Sequence, residues 1–320
     1  MTDQQAVTFL SDAELEGLGI QPPEVADAIE KALLAKAAGK LNTSPKSVIL
    51  PADGRYMMST LAVGDDGFIV VKQVSVCPDN PERDLPSING AIMVLDAHTG
   101  LLRAVLGANW ITAVRTAALS AVAARRLADP ASETIAFVGA GVQAHSHLAA
   151  FAEMFPLKRV RVLGRGQANI DALCANAAKR GMEPYVCSSP EEALKGAEIL
   201  VSSITLDFST PPFLDANLLP SNAFAAITDA CVPWLPDSMV AFETVVVDDR
   251  EQERESANPM IPYDQIAGDL TELVSGSSVE VKKGSPAAFA FRGISLGDYA
   301  AAVLAVNKAA ELGVGNKVSG

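Results

Sequence analysis

From residue 134 the chain runs Thr134-Ile135-Ala136-Phe137-Val138 without a polar interruption, crosses glycines at 139 and 141, and resumes with Leu148, Ala149, Ala150 and Phe151 at helical spacing. The first part reads as a strand buried on both faces and the second as the apolar side of a helix. Upstream the periodicity is different. Residues 22–38 carry Val25, Ile29 and Leu33 on one helical stripe, with Gly39 as a stop. Residues 46–50, 56–63 and Phe68–Val76 are β-rich, and Gly64-Asp65-Asp66-Gly67 joins the last two as a hairpin. Residues 91–95 and 101–106 predict a second hairpin across Asp96-Ala97-His98-Thr99-Gly100. The first 110 residues thus predict a mostly antiparallel sheet with a helix packed on it.

An Ala-rich helix over 112–128, ended by Asp129-Pro130, leads out of this region. Beyond it short apolar runs at 134–138, 159–163, 185–186, 198–204, 223–228, 244–247 and 287–291 alternate with helical stretches at 168–179 and 190–195. Alternation of this kind predicts an α/β fold: a Rossmann-type, doubly wound parallel sheet plus a second α+β lobe for substrate binding and dimerisation. A last helix over 298–312 carries an apolar face suited to return to that lobe. The expected domains are 1–112 with 298–320, and 113–297 with the connecting helix 112–128 included.

A chain of 320 residues, 49% of them hydrophobic, supports a sizeable core. Its net charge of -13 argues against nucleic acid and anionic membrane surfaces as partners, so any bound anion must be held by a few local cations. Met1-Thr2-Asp3-Gln4-Gln5 lacks the basic and apolar regions of a signal peptide. Arg292 and Asp298 interrupt the longest apolar stretch, and a cytoplasmic location is expected. Cys77, Cys174, Cys187 and Cys231 show no Cys-x-x-Cys spacing and read as free thiols. His145 and His147 would point about 200° apart on a helix, and no metal site is expected.

Gly139-Ala140-Gly141-Val142-Gln143-Ala144 is a Gly-x-Gly-x-x-Ala turn between strand and helix. Gly139 permits the tight turn, Gly141 a close approach to a pyrophosphate, and Ala144 close packing of helix on strand. If Phe68–Val76 is a regular strand, Lys72 falls on the same face as Phe68, Val70, Val74 and Val76, either as a sheet-edge lysine laying its stem over apolar surface or as a cation held in a partly dry pocket to meet an anionic substrate. If Thr112 caps its helix, Arg115 stands in the first turn, where the helix dipole disfavours a cation unless a carboxylate binds there. Asp229 follows a strand, at the edge where ligands of open α/β sheets bind. Gly164-Arg165-Gly166 has no acid for an adenosine ribose, and Arg165 there suits a 2′-phosphate or an adenine face. Gly293-Ile294-Ser295-Leu296-Gly297 matches a nucleophile elbow, but no histidine follows His147 to complete a triad.

Several stretches taken together resemble the ornithine cyclodeaminase/mu-crystallin family over nearly the full length. They are Val71-Lys72-Gln73-Val74-Ser75-Val76, Leu85-Pro86-Ser87, Leu95-Asp96-Ala97-His98-Thr99-Gly100, Thr112-Ala113-Val114-Arg115-Thr116-Ala117-Ala118, Val138-Gly139-Ala140-Gly141-Val142-Gln143 and Val247-Asp248-Asp249-Arg250. The resemblance implies a homodimer that binds NAD(H) or NADP(H) and acts on α-amino acids or their imines. It implies that Lys72 and Arg115 grip the substrate carboxylate and that Asp229 handles the proton at the substrate nitrogen. Cofactor contacts are then expected from Ser87, Arg115, Gly139, Ala140, Gly141, Val142, Gln143, Gly164, Arg165, Ser203, Arg292 and Gly293.

The departures from the family pattern narrow the reading. Lys46 stands where many relatives use an arginine on the carboxylate, and Tyr56, beside Arg55, where cyclodeaminases place the acid for the ornithine ammonium. Gly164 replaces their ribose-binding acid, and Arg292-Gly293 a Lys/Asp-Ser pair near the nicotinamide. The expected activity is NAD(P)H-dependent reduction of an α-imino acid to an L-amino acid. Because Lys46, Arg55, Lys72 and Arg115 exceed what one carboxylate requires, the leading substrate is iminosuccinate, giving aspartate. The alternatives are reduction of pyrroline-2-carboxylate, an ornithine or lysine cyclodeaminase, an alanine-dehydrogenase-like enzyme, and a crystallin-like nicotinamide-binding protein without turnover.

Overall fold

The computed structural model describes residues 6–206, 209–277 and 279–319, so the reading of Met1–Gln5 lies outside the described residues. Two units emerge, Met1–Arg115 with Ile294–Gly320, and Thr116–Gly293.

The first unit opens with β1 (Val7–Leu10), α1 (Asp12–Glu16) and α2 (Pro22–Ala37). It continues through β2 (Leu41–Thr43), β3 (Ser47–Ile49), β4 (Tyr56–Gly64), β5 (Phe68–Val76), β6 (Ile88–Asp96) and β7 (Leu102–Gly107) to α3 (Ala108–Leu127). Both helix starts are built locally: Ser11 with Glu14 and Gln21 with Glu24 form reciprocal capping boxes. The strands of β4, β5 and β6 pair antiparallel in register, Thr60 opposite Lys72 and Lys72 opposite Ile92. The sheet is mostly antiparallel, as expected, with β1 pairing parallel to β7.

Helix α3 starts at Ala108, earlier than the expected Thr112. The reason is distant in sequence: Asp12 Oδ1 accepts a hydrogen bond from the Trp110 N–H at 2.8 Å and so satisfies the helix start. Arg115 therefore lies beyond the first turn, and the dipole argument for a bound carboxylate at that position does not apply.

The second unit runs β8 (Thr134–Val138), α4 (Val142–Ala152), β9 (Arg159–Leu163), α5 (Gln167–Lys179), β10 (Glu183–Val186), α6 (Pro190–Leu194), β11 (Ile199–Ser202) and β12 (Phe224–Ile227). Then follow β13 (Thr244–Val247), α7 (Arg250–Arg254), β14 (Ile266–Asp269), α8 (Leu270–Ser275) and β15 (Ala287–Ala290). Its sheet is parallel throughout, in the order β10-β9-β8-β11-β12-β15-β13-β14. The order reverses at β8 and β11, a topological switch point of the kind that binds ligands beyond the strand ends. Small Ala287 and Ala288 let β15 slot between β12 and β13, and all four of its residues are buried. The periodicity did not suggest β14, whose Gly268 breaks the apolar run.

The chain returns to the first unit as α9 (Ser295–Leu312) and β16 (Asn316–Val318), completing the order β16-β1-β7-β6-β5-β4-β2 with β3 beside β4. Helix α9 packs on α2 and on β4, β5 and β6. Val70, Val74, Ile92 and Val94 are buried beneath the helices, each contributing about 1.5–3 kcal/mol on removal from water. Alanines over residues 300–302 keep α9 close to the sheet, so close that a Cβ on Gly64 would lie 2.0 Å from the Tyr299 hydroxyl oxygen. No helix among the described residues is long and apolar enough to cross a membrane.

Candidate active site

Lys72 is fully buried in the middle of β5, not at a sheet edge. Period-two alternation points it inward with Val70 and Val74, and its Nζ lies 2.9 Å from Asp298 Oδ1. Arg115 brings Nε to 3.0 Å from the same oxygen, while the Thr60 hydroxyl donates to Oδ2 at 3.3 Å. Burial, then the Arg115 charge, pushes the Lys72 ammonium down to about 8, with Asp298 opposing the shift. Burial by itself would raise the Asp298 carboxyl, but the Arg115 and Lys72 charges outweigh it and hold it below its usual value. Three charged groups thus share one dry place and leave a net positive charge. Sequence reading brought Lys72 and Arg115 forward and missed Asp298. A signal existed: Asp298 is the one charged residue between Arg292 and Lys308 in the sequence.

The other residues expected to meet substrate fare differently. Lys46 is half-buried in the segment before β3, and its charge contributes to lowering the Lys72 pKa. Tyr56 opens β4, paired with Val76. Arg55 is exposed, and its guanidinium lies 2.7 Å from Asp53 in the same turn. Ser87 is half-buried, its carbonyl accepting the Cys77 N–H at 2.7 Å.

At the switch point of the second unit, Gly139 holds φ +99°, and a Cβ there would lie 2.6 Å from the Ser203 carbonyl oxygen. That geometry requires glycine. Gly141 meets nothing within 4 Å, so the space over it is open. Gly141 caps α4 without any side-chain hydrogen bond, Val142 is 67% exposed in the first turn, and Ala140 is buried beneath. The buried Ser203 hydroxyl has no hydrogen-bond partner among the described residues. An open glycine, an uncapped helix start and an orphaned hydroxyl fit the pyrophosphate of a dinucleotide. Gln143 lies in the same helix turn, with its carbonyl accepting from His147 Nδ1 at 2.8 Å, if that nitrogen carries the proton. Gly164 directly follows β9, where a Cβ would lie 3.2 Å from Ile170 Cγ1, and the Arg165 side chain is exposed.

Asp229 follows β12 and is fully buried. Trp234 Nε1 donates to Ser202 Oγ at 3.1 Å, and the Ser202 hydroxyl donates in turn to Asp229 Oδ1 at 3.0 Å. The Ile204 N–H donates to Oδ2 at 3.2 Å. Burial raises the carboxyl to about 7 against these donors, which places its proton exchange near neutrality. Directly after it, Ala230 and Cys231 both hold positive φ, 53° and 60°, a strain of about 1–3 kcal/mol each. Ser202 and Trp234 escaped the sequence reading because nothing local distinguishes a serine at a strand end.

Arg292 and Gly293 donate their backbone N–H groups to Asp248 Oδ2 at 3.1 and 2.6 Å. The Arg292 side chain is engaged by Glu253 at 2.9 Å and by the Asn258 carbonyl at 2.8 Å. Ser295, the serine of the elbow-like motif, is a buried first-turn residue of α9. Among the described residues no group of three or more His, Cys, Asp or Glu is placed to hold a metal ion.

A doubly wound parallel sheet with its Gly-x-Gly turn at the switch point defines the second unit as Rossmann-type. The whole chain belongs to the ornithine cyclodeaminase/mu-crystallin family, whose model matches residues 7–312. It is 32% identical over 225 residues to the ketimine reductase mu-crystallin of Rattus norvegicus, covering 69% of this chain and 70% of that protein. It is 29% identical over 286 residues to the Delta(1)-pyrroline-2-carboxylate reductase 1 of Burkholderia multivorans, covering 87% and 89%. The structure of Thermococcus litoralis Delta(1)-pyrroline-2-carboxylate reductase in complex with NADH and L-proline superposes with a TM-score of 0.89 at 26% identity, covering 98% of this chain and 100% of that one.

Proposed function

We propose that the protein is an NAD(P)H-dependent reductase that adds hydride to the C=N carbon of an α-imino acid, giving an L-amino acid. The observation that carries this reading is the buried pair Lys72 and Arg115 converging on one Asp298 oxygen, a preorganised cationic site for an α-carboxylate. When bound, the reduced nicotinamide supplies the hydride. Lys72 and Arg115 hold the carboxylate, and Asp229, near neutrality in its pKa, delivers the proton to the nitrogen. In this reading the segments Met1–Arg115 and Ile294–Gly320 bind substrate and Thr116–Gly293 binds the dinucleotide. Relatives that reduce ketimines and pyrroline-2-carboxylate support it.

A cyclic imine with one carboxylate suits this site better than iminosuccinate. Two of the charges that motivated the dicarboxylate are already balanced, Arg55 by Asp53 and one of the buried cations by Asp298. The test is nicotinamide absorbance with NADH and NADPH against pyrroline-2-carboxylate, iminosuccinate formed from oxaloacetate and ammonia, and ornithine. Pyrroline-2-carboxylate is expected to give the highest kcat/KM. Proline and ammonia from ornithine without net NADH would mean a cyclodeaminase, and no turnover with any substrate a binding protein.

We infer a homodimer on separate grounds. On the face of the first sheet away from α9, Leu61, Val71, Met93, Val105 and Phe9 are successive register partners across β4, β5, β6, β7 and β1. Leu61, Met93 and Phe9 are about 40% exposed, a continuous apolar row that a second copy would cover. Sedimentation of wild type and Met93→Asp tests it: a dimer is expected, weakened by the substitution.

A further inference from the structure

We propose that Asp298 determines the charge selectivity of the substrate site, cancelling one of the two buried cations so that the site accepts a substrate with one carboxylate and rejects one with two. The proposal rests on the reading of Lys72 and Arg115 as the carboxylate grip. Lys72, Arg115 and Asp298 are respectively 0%, 5% and 1% exposed, so their charges interact with little screening. Asp298 sits in the first turn of the 18-residue α9, where the helix dipole favours an anion. Its Oδ1 takes both cations and its Oδ2 the Thr60 hydroxyl, so its charge is locked in place before substrate arrives.

The sum of the three is one positive charge. A monocarboxylate neutralises it, whereas a dicarboxylate introduces an unbalanced anion into a dry place, which is costly. Two other cations bear on the balance. Lys46 acts on Lys72 from a half-exposed position and is partly screened, while Arg55 is exposed and held by Asp53. Asp298 is thus the anion that both buried cations contact.

The test uses the NADH-loaded protein and calorimetric titration with propionate and succinate, two acids that differ by one carboxylate. Wild type is expected to bind propionate at least about tenfold more tightly than succinate. If succinate binds as well as or better than propionate, the proposal is overturned while the carboxylate grip stands. If neither acid binds, the grip itself fails and the proposal with it. Asp298→Asn adds one positive charge, and the succinate-to-propionate affinity ratio is expected to rise about tenfold or more at about pH 6, fading as Lys72 loses its proton at higher pH. Asp298→Glu, which keeps the charge, is expected to keep the wild-type ratio. A ratio in Asp298→Asn that stays at the wild-type value across this pH range means that Asp298 holds the fold together and does not select. The wild-type comparison decides the matter if Asp298→Asn does not fold.

Discussion

Lys72 Nζ and Asp298 Oδ1 lie 2.9 Å apart although 226 residues separate them in the chain. A strand lysine near the start of the sequence and a helix acid near its end are brought together because α9 packs on β5. Neither charge would survive burial alone. Arg115→Ala leaves Lys72 with its partner but removes half of the carboxylate grip. It is expected to lower kcat/KM for the best imine by roughly 10- to 150-fold, chiefly through KM. Steady-state kinetics at several imine concentrations checks this, and an unchanged KM would remove Arg115 from the substrate site.

The pH profile should differ between the two directions of the reaction. Asp229 titrates at about 7 and must be protonated to give a proton to the imine, so reduction should weaken as pH rises through 7. Oxidation of the amino acid needs the ionised form and should rise through the same pH. Lys72, lowered to about 8, loses its charge above that value and should raise KM in both directions. The oxidation profile is therefore expected to be a narrow bell between these limbs, measured with saturating NAD(P). A plateau extending well beyond pH 9 would contradict the assignment of Lys72.

Asp229→Asn should separate activity from stability. The folded carboxyl titrates above its unfolded value of 3.8, so wild type loses stability as pH rises from 3.8 through about 7, and the loss is complete above that. Asparagine has no charge to bury. The variant is expected to lose roughly 100- to 10,000-fold in kcat while gaining Tm relative to wild type at pH 8 but not at pH 4. Each kcal/mol recovered should appear as about 2–4 °C in a thermal melt.

Trp234→Phe tests the hydrogen-bond chain behind Asp229. With its acceptor lone pair taken by Trp234 Nε1, the Ser202 hydroxyl is oriented to donate to Asp229. Phenylalanine keeps an aromatic ring but lacks the indole N–H, which frees the hydroxyl to rotate. The Asp229 limb of the pH profile should move up by roughly half a unit to one unit, the size of one lost hydrogen bond to the carboxylate. An unmoved limb would show that Trp234 only fills space.

Gly139→Ala places a Cβ at 2.6 Å from the Ser203 carbonyl at a φ of +99°. Cofactor Kd, followed by nicotinamide fluorescence, is expected to rise at least about tenfold, with a lowered Tm from the strained backbone. Arg165→Ala is expected to weaken NADPH more than NADH if its exposed guanidinium meets a 2′-phosphate. Equal weakening of both would point instead to stacking on the adenine.

Sequence by itself determined the fold of Thr116–Gly293 in most of its elements. An unbroken apolar strand, a glycine turn and a 3.6-residue spacing are local properties, and buried parallel strands announce themselves by composition. It also placed Lys72 on one face with Val70 and Val74, since alternation in β5 is strictly local, but that this face is the buried one came from the fold. What it did not contain was the partner of that lysine. The helix start of α3 at Ala108 depends on Asp12, and the orientation of Ser202 depends on Trp234. The net charge of the buried Lys72 and Arg115 pair likewise depends on Asp298, which in sequence only interrupts an apolar run. These are contacts between side chains far apart in the chain, and burial is what gives them their strength. Only the tertiary structure removes the water that would otherwise screen Lys72 from Asp298, and so only it decides that two cations amount to one charge.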